Sequence, residues 1–282
     1  MTKKQKILSG VGAVAVVGVF YFIYEHFTFV STDNAQIEAH SVMLAPKVGG
    51  FVKEVHITEG AHVKKGDILI EIDDRDYQNT RNQMKGELSS LEARRRDSER
   101  NQKRMSELIS KGVVSQQQYD TANASYSEVK AKYEALAAQV AQADLNFENT
   151  KIKAPSDGVI AKKSVEIGQL AAPGVPLVGF VDSGERWVIA NFKETEIEDI
   201  KLGNKVEINV DAVSGRNYVG VVESISSATG ATFTLLPPDN ATGNFTKVIQ
   251  RVPVKIKFQD VSEADIEALR AGLSAIVKVH KR

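Results

Sequence analysis

The sequence contains no cysteine. That excludes a disulfide framework, a thiol nucleophile and any metal site built on thiolates, while leaving the compartment open. It also lacks a surplus of charge of either sign, since 36 basic residues balance 36 acidic ones over 282 residues. A nucleic-acid surface betrays itself as a basic excess, so none is expected. Neither a G-x4-G-K-[ST] phosphate loop nor an H-E-x-x-H metalloprotease helix occurs. Gly10, Gly12 and Gly18 lie in an apolar run with no strand-turn-helix around them, so they form no dinucleotide fingerprint. His56 and His62 read as surface histidines rather than a metal pair. Asp73-Asp74-Arg75-Asp76 lacks calcium-loop spacing and reads as a helix start. No serine has a recognisable base partner. The expectation is a protein that is not an enzyme and holds no cofactor and no metal.

What is present begins with a long apolar run. Lys3, Lys4 and Lys6 precede Ile7–Tyr24, in which Ser9 is the only clearly polar side chain. Eighteen helical residues at ~1.5 Å each span about 27 Å, close to the hydrocarbon thickness of a bilayer. The lysines keep the N-terminus cytoplasmic, and Tyr21, Tyr24 and the phenylalanines suit the interface. A cleaved signal peptide is the rival reading. The run is long for one, and no small-x-small cleavage site follows it. Either way, residues after about 30 lie beyond the cytoplasmic membrane.

Two later stretches share one spacing. Gly50, Gly60 and Gly66 recur at a constant offset as Gly158, Gly168 and Gly174. An Ala-Pro precedes each copy, at Ala45-Pro46 and Ala154-Pro155, with a gap to the first glycine that differs by one residue. Short alternating strands fill both copies. Val48, Phe51, Val52, Val55, Ile57, Val63, Ile68, Leu69 and Ile70 form one candidate half-core. Val159, Ile160, Val165, Ile167, Leu170, Leu177 and Val178 form the other. Neither half buries enough apolar surface to stand alone, so one domain is expected, split by whatever lies between.

The insert reads as an antiparallel helical hairpin. Tyr119, Ala122, Tyr126, Val129, Tyr133, Leu136, Val140, Ala143 and Phe147 alternate by three and four, a coiled-coil seam. Tyr77, Arg81, Met84, Leu88, Leu91, Arg95, Ser98, Gln102 and Met105 alternate by four and three. The two sets mirror each other: Met105 faces Tyr119, Leu88 faces Leu136 and Tyr77 faces Phe147, every such pair of numbers summing to 224. Gly112 suits a left-handed helix stop, and Ser115 with Gln118 makes a capping box for the returning helix. Each arm of roughly 33 residues projects about 50 Å. Arg81, Arg95, Ser98 and Gln102 weaken the ascending seam. Long stems snorkelling to water account for the arginines, with Arg95 meeting a neighbouring subunit as the alternative.

The C-terminal third alternates over Arg186–Phe192, Lys205–Val210, Tyr218–Ser224, Val252–Phe258 and Leu273–Val279, between Gly, Asn and Asp turns. These strands predict a small β-barrel.

The divided module resembles the biotinyl/lipoyl-type fold, but the turn that carries an acylated lysine in carrier domains is here the hairpin. With the anchor and hairpin, the chain resembles the membrane-fusion (periplasmic adaptor) proteins of the haemolysin-secretion D type. Arg186-Trp-Val-Ile-Ala-Asn-Phe-Lys-Glu-Thr195, Thr32-Asp33-Asn34-Ala35 and the block from Thr232 to Lys255 containing Asn-Ala-Thr-Gly-Asn are similar to motifs of the EmrA branch. The expected fold class is therefore mainly β with an inserted α-helical coiled-coil hairpin: a split lipoyl-type domain plus a small β-barrel and an N-terminal transmembrane helix. The expected boundaries are 1–30 for the cytoplasmic tip and anchor, 31–43 for a linker or barrel-associated strand, and 44–73 for the first lipoyl half. The hairpin takes 74–150, the second lipoyl half 151–182, and the barrel with a membrane-proximal strand 183–282.

The resemblance implies an adaptor between an inner-membrane transporter, of major-facilitator type in this branch, and a TolC-type outer-membrane channel, exporting drugs or toxic amphipathic compounds. It implies a single-pass inner-membrane protein, mostly periplasmic, forming ring-like trimers or hexamers. Arg104, Leu108 and Ser115 match the R-x3-L-x6-S tip pattern of adaptors that dock onto such channels, with Lys111, Gly112 and Val113 flanking. Each also has a plain reading: a solvated arginine, a leucine closing the coil and a serine cap. An adaptor of an ABC-driven type I secretion system and a structural coiled-coil anchor protein remain the alternatives.

Overall fold

The computed structural model describes residues 27–213, 215–229 and 249–281. The expected anchor run and most of the Asn-Ala-Thr-Gly-Asn block lie outside the described residues. Among those described, no helix is long and apolar enough to cross a membrane. In chain order, β1 (Phe29–Leu44) is followed by β2 (Gly50–Val55), β3 (His62–Val63), β4 (Ile68–Ile72) and the helices α1 (Arg75–Ser110) and α2 (Gln116–Glu148). Then come β5 (Lys151–Lys153), β6 (Gly158–Lys163), β7 (Leu170–Ala171) and β8 (Val178–Lys193). A short 3-10 turn, β9 (Lys205–Val210), β10 (Asn217–Ile225), β11 (Arg251–Gln259), α3 (Glu263–Ala268) and β12 (Ser274–His280) follow among the described residues. Two compact units result: Met1–Ser41 with Val181–Arg282, and Val42–Phe180.

The first unit is a barrel. Its strands follow the order β1-β12-β9-β10-β11-β8, and an additional β1–β8 pairing closes the circuit. Closure leaves no free edge among these strands. Strict alternation sends Val206, Ile208 and Val210 of β9 inward beside Val188, Ala190 and Phe192 of β8 and Ala275, Val277 and Val279 of β12. The closing seam joins two of the sequence motifs. Thr32 Oγ1 donates to the Asn191 carbonyl at 3.0 Å, and Asn191 Nδ2 donates to Asn34 Oδ1 at 3.3 Å. At Gly220 the strands approach so closely that a Cβ would meet the Lys257 carbonyl at 2.8 Å.

Two features of this unit depart from expectation. The strand expected at Arg186–Phe192 is the later part of a longer β8, Val178–Lys193. Helix α3 was not foreseen, although its signal was present. Ser262 and Asp265 make a capping box, and Arg216 pairs with the buried Asp265 carboxylate. Hydrogen bonds from Ser262 and the Arg216 charge hold that carboxyl below its usual pKa.

In the second unit the two glycine-matched halves interleave. One sheet runs β5-β4-β2-β7, and β3 pairs with β6, so the halves cross-pair at β4–β5, β2–β7 and β3–β6. The register repeats under exchange of the halves. Gly50 faces Ala171 and Phe51 faces Leu170; their counterparts Gly158 and Val159 face Val63 and His62. Gly60 N–H donates to the Ile160 carbonyl, and Gly168 N–H to that of Val52, both at 2.8 Å. Gly60, Gly66, Gly168 and Gly174 all adopt φ between 80° and 90°, a conformation that L side chains resist, which explains why glycine recurs at those offsets.

The same symmetry corrects the reading of the Ala-Pro pairs. Gly66 N–H donates to Ala154, whereas Gly174 N–H donates to Pro46. Structure thus equates Ala154 with Pro46, and the matching dipeptides are displaced by one position. The half-core expectation also needs amendment. Leu69, Ile70, Ile160, Leu177 and Val178 are buried, but Phe51, Ile167 and Leu170 are 61%, 67% and 61% exposed. Phe51 and Leu170 face each other across β2 and β7, on the outer side of the sheet.

Candidate functional site: the helical hairpin and its tip

The hairpin starts where Asp73 gathers the first turn. Its carboxylate accepts from the Arg75 backbone N–H at 3.2 Å and from the Arg75 guanidinium, which lowers its pKa to about 2. Asp74, at the N-cap position, makes no side-chain cap bond. One turn later Tyr77 donates its hydroxyl to the Gly49 carbonyl at 2.7 Å, tying the base of α1 to the β-module.

Along the arms, Met84, Leu88, Leu91 and Met105 of α1 are half-buried, as are Tyr119, Tyr126, Val129, Tyr133, Leu136 and Phe147 of α2. Only Ala122, Val140 and Ala143 are fully covered, and α1 has no fully buried residue. Two inward arginines do not reach for water as expected. The Arg81 guanidinium lies 4.7 Å from the Phe147 ring centre, and that of Arg95 lies 5.0 Å from the Tyr133 ring centre. Arg81 also ion-pairs with Asp144 at 2.8 Å, as does Lys85. These bonds, from Lys85 first, lower the Asp144 pKa. Arg95 Nε is buried without a hydrogen-bond partner.

Phe147 thus meets Arg81, one turn nearer the tip than the expected Tyr77. Side chains lean toward the N-terminus of their own helix. In an antiparallel pair, α1 side chains lean to the base and α2 side chains to the tip, so partners sit slightly higher in summed number than backbone levels do. Sequence reasoning missed Lys85 and Asp144. Both stand one residue past a seam position, which is the signal that flanking charges give.

The tip is built from two local motifs. Gly112 N–H donates to Ile109 and Val113 N–H donates to Leu108, while Gly112 takes φ of 72°. This reciprocal pair stops α1 and satisfies its last carbonyls. Ser115 then starts α2: its hydroxyl accepts the Gln118 N–H, and Gln118 Oε1 accepts the Ser115 N–H at 3.0 Å. The Ser115 side chain is therefore engaged locally. Leu108 is half-buried, and Arg104, Lys111, Gly112, Val113 and Ser115 are exposed. Arg104 has no ion-pair partner among the described residues, unlike Arg100 and Lys103, which pair with Asp97 and Glu99. An open depression of about 470 Å³ lies just below the tip, lined by Met105, Val114, Gln117, Thr121 and Ala122. Among the described residues Arg104 and Lys111 form no ion pair, and Val113 is exposed beside the left-handed turn at Gly112.

At the base, His56 lies 3.5 Å from Glu71 and 3.8 Å from Glu54. No group of three potential metal ligands is assembled among the described residues.

Comparison with known proteins gives the class first. Residues 40–182 match the family described as "RND MFP, barrel-sandwich hybrid domain", and residues 186–280 match "AAEA-like beta-barrel domain". The chain is 32% identical to the Colistin resistance protein EmrA of Acinetobacter baumannii, covering 99% of this chain and 96% of that one. It is 30% identical to the Multidrug export protein EmrA of Haemophilus influenzae, covering 95% and 80%. The Fatty acid resistance protein FarA of Neisseria gonorrhoeae is 33% identical, over 88% of this chain and 75% of that one. The chain belongs to the EmrA-like branch of the haemolysin D-type family of membrane fusion proteins. Among solved structures, the membrane fusion protein Spr0693 from Streptococcus pneumoniae R6 matches with a TM-score of 0.65 at 13% identity, covering 90% of this chain and 99% of that one. The periplasmic adaptor protein EmrA matches with a TM-score of 0.51 at 18% identity, over the same shares. These likenesses concern the fold.

Proposed function

We propose that this protein is the periplasmic adaptor of a multidrug efflux assembly. It is anchored in the inner membrane by its N-terminal apolar run and joins a major-facilitator transporter to a TolC-type outer-membrane channel. Its cargo is a drug or a toxic amphipathic compound. The near full-length similarity to a colistin resistance protein carries this reading, and relatives named for multidrug export and fatty acid resistance support its cargo class. The adaptor does no catalysis: it positions two membrane proteins and works as a ring of several copies.

In this reading the hairpin is the outward contact. Arg104 supplies a free guanidinium, Leu108 an apolar knob, and Lys111, Gly112 and Val113 the flanking surface, fitting the grooves between channel helices. Ser115 contributes first as a cap, holding the turn in shape.

The absence of cysteine makes the test direct. One cysteine replaces Lys111 in the full-length chain, and cross-linking is performed in cells. Capture of an outer-membrane channel is expected. Capture of nothing but other copies of this chain would defeat tip docking. Leu108→Asp and Arg104→Glu are expected to abolish efflux with helix content intact, and loss of helix content would reassign both residues to packing.

A further inference from the structure

One rim of the barrel gathers the exposed apolar side chains. Phe29 of β1 pairs with His280 of β12, and Val206 of β9 with Val279 of β12, so Lys205 stands beside His280. Phe29, His280 and Lys205 therefore share a level on three neighbouring strands. Phe27 lies two residues beyond that level on β1, and Leu202 three residues beyond it on the approach to β9. The Lys281 N–H donates to the Thr28 carbonyl at 2.8 Å, closing the β1 side of the rim.

On the β9 side the rim is a held turn. The Asn204 N–H donates to the Lys201 carbonyl at 3.1 Å and Gly203 takes φ of 82°, which makes a β-turn with Leu202 at its corner. The Asn204 side chain donates to the His280 carbonyl at 2.7 Å, and the Gly203 N–H to the Val222 carbonyl at 2.9 Å. The turn is thus fastened to both neighbouring strands, while Leu202 projects from it, 62% exposed. Phe27 is 74% exposed, and Ile249, just before β11 at the same end, is 51% exposed. Among the described residues of the barrel unit, the other exposed large apolar side chains are Val219 and Ile276, which lie on the wall in β10 and β12. The opposite rim, at Asp211, Arg216 and Asp260, has none among the described residues.

The length of chain before Phe27 says what this rim meets. Tyr24 ends the apolar run expected to be the anchor, and three peptide steps separate it from Phe27. At no more than about 3.6 Å each, they keep Phe27 within about 11 Å of the hydrocarbon, while the headgroup layer on one face is about 5–7 Å thick. A rim tethered so closely meets the interface at high effective concentration, so one apolar corner suffices to hold it there. Charge does not select the partner. Lys201 and Lys205 flank Leu202 and form no ion pair among the described residues. Arg251, Glu194 and Glu198 stand on the same rim, and Lys193, Lys281 and His280 already face Glu196, Asp199 and Glu207. The rim is close to electrical balance, so attraction to anionic lipid is not the driving effect. The two lysine stems lie along the interface with their heads in water.

We infer that the partner of this rim is the bilayer surface: the Leu202 corner enters the interfacial layer of the membrane that holds the anchor. The barrel then has two attachments, the tether at Phe27 and the turn at Leu202. A single tether lets the barrel swivel, whereas two points hold its rim against the membrane. This rests on the anchor of the reading above and adds to it a contact made by the folded barrel.

The test uses the full-length chain reconstituted in nanodiscs of phosphatidylethanolamine and phosphatidylglycerol, with no transporter present. Lys201→Cys carries a small environment-sensitive fluorophore beside the intact Leu202, and Asp211→Cys carries it on the opposite rim. Nitroxide lipids labelled high on the acyl chain are expected to quench the first at least about fivefold more than the second. Leu202→Glu in the Lys201→Cys chain is expected to bring quenching down to the level of the opposite rim, and Leu202→Phe to preserve it. Unaltered circular dichroism and Trp187 emission show that the barrel is intact in each variant. Equal quenching at the two rims overturns the inference, as does quenching that Leu202→Glu leaves unmoved, which would assign the proximity to the tether alone. Capture of a membrane protein by Lys201→Cys in cells, without lipid quenching in discs, would also overturn it and give the rim to a protein. A chain that does not enter the discs defeats the anchor and this inference together. A chain that enters them with Lys201→Cys unquenched defeats this inference alone and leaves the anchor standing.

Discussion

The barrel and the hairpin solve the problem of holding together in opposite ways. In the barrel, six strands close on themselves, and Val188, Ala190, Phe192, Val206, Ile208, Val254, Ile256, Val277 and Val279 are fully buried. In the hairpin, thirty-six residues of α1 contribute none that is fully covered, and α2 contributes Ala122, Val140 and Ala143. A closed sheet has an inside, whereas two helices have only a seam. The hairpin makes up part of the difference with arginines laid over aromatic rings and with the Arg81–Lys85–Asp144 cluster. Such contacts hold a register yet contribute little each, about 0.5–1 kcal/mol at partly exposed sites. Two helices joined by a seam can be held this way, and a closed barrel is held by its interior instead.

The largest expected effect breaks the comparison on the barrel side. Phe192→Ala should destabilise the chain by about 3–5 kcal/mol in denaturant unfolding, through lost burial and a residual cavity. If a seam leucine such as Leu88→Ala cost as much, the contrast drawn here would be wrong. Gly220→Ala comes next, because its new Cβ would strike the Lys257 carbonyl and the Ile208 and Ile256 side chains. About 1–3 kcal/mol is expected, with a barrel-localised loss of amide protection as the discriminating measurement.

On the hairpin side Val140→Ala should cost only about 1.5 kcal/mol, from two carbon atoms withdrawn from a covered site. Helical circular dichroism during unfolding would report it. Arg95→Leu tests the sign. Replacing a guanidinium whose Nε is buried without a partner by an apolar knob at a seam position should leave stability unchanged or raise it by up to about 1 kcal/mol. A clear loss would show that the stacking on Tyr133 and the ion pair with Glu99 at 3.6 Å together outweigh the orphaned donor.

The smallest effect concerns pH. The Asp73 carboxyl is held at about 2 by the Arg75 guanidinium, below the usual carboxylate range. A depressed pKa means that its contribution is fully present above the unfolded value and is lost as pH falls from about 4 to about 2. Asp73→Asn should therefore flatten a slight loosening of the hairpin base over that window, seen as hydrogen exchange at Tyr77 and its neighbours, and leave behaviour at neutral pH nearly unaltered.

The hairpin was legible in the sequence because helical periodicity is local. A heptad seam needs only the residues three and four apart, and Gly112 and Ser115 mark the turn by their own backbone preferences. The β-module was legible as a repeat for a related reason: a left-handed turn admits little but glycine, so Gly60 and Gly168 advertise the same turn twice. Phe51, Ile167 and Leu170 were misread because alternation says which residues share a face and not which face is covered. The full length of β8 was missed because the alternation of its second half does not extend through Asp182-Ser183-Gly184, which reads as a turn. Arg81 and Arg95 were assigned to water because a stem long enough to snorkel is also long enough to lie across a ring, and only the opposing helix chooses.

What the sequence by itself determined are the features each segment carries within a few turns of chain: the seam periodicity, the helix stop and start at the tip, the glycine turns, the strand alternation and the balance of charge. Tertiary structure alone decided which strands exchange between the glycine-matched halves, where the barrel closes through Thr32, Asn34 and Asn191, and over which rings Arg81 and Arg95 lie. The first kind follows from backbone sterics and local hydrogen bonds, which act between near neighbours. The second depends on which surfaces distant segments present to one another, and no stretch of chain holds that information before it is folded.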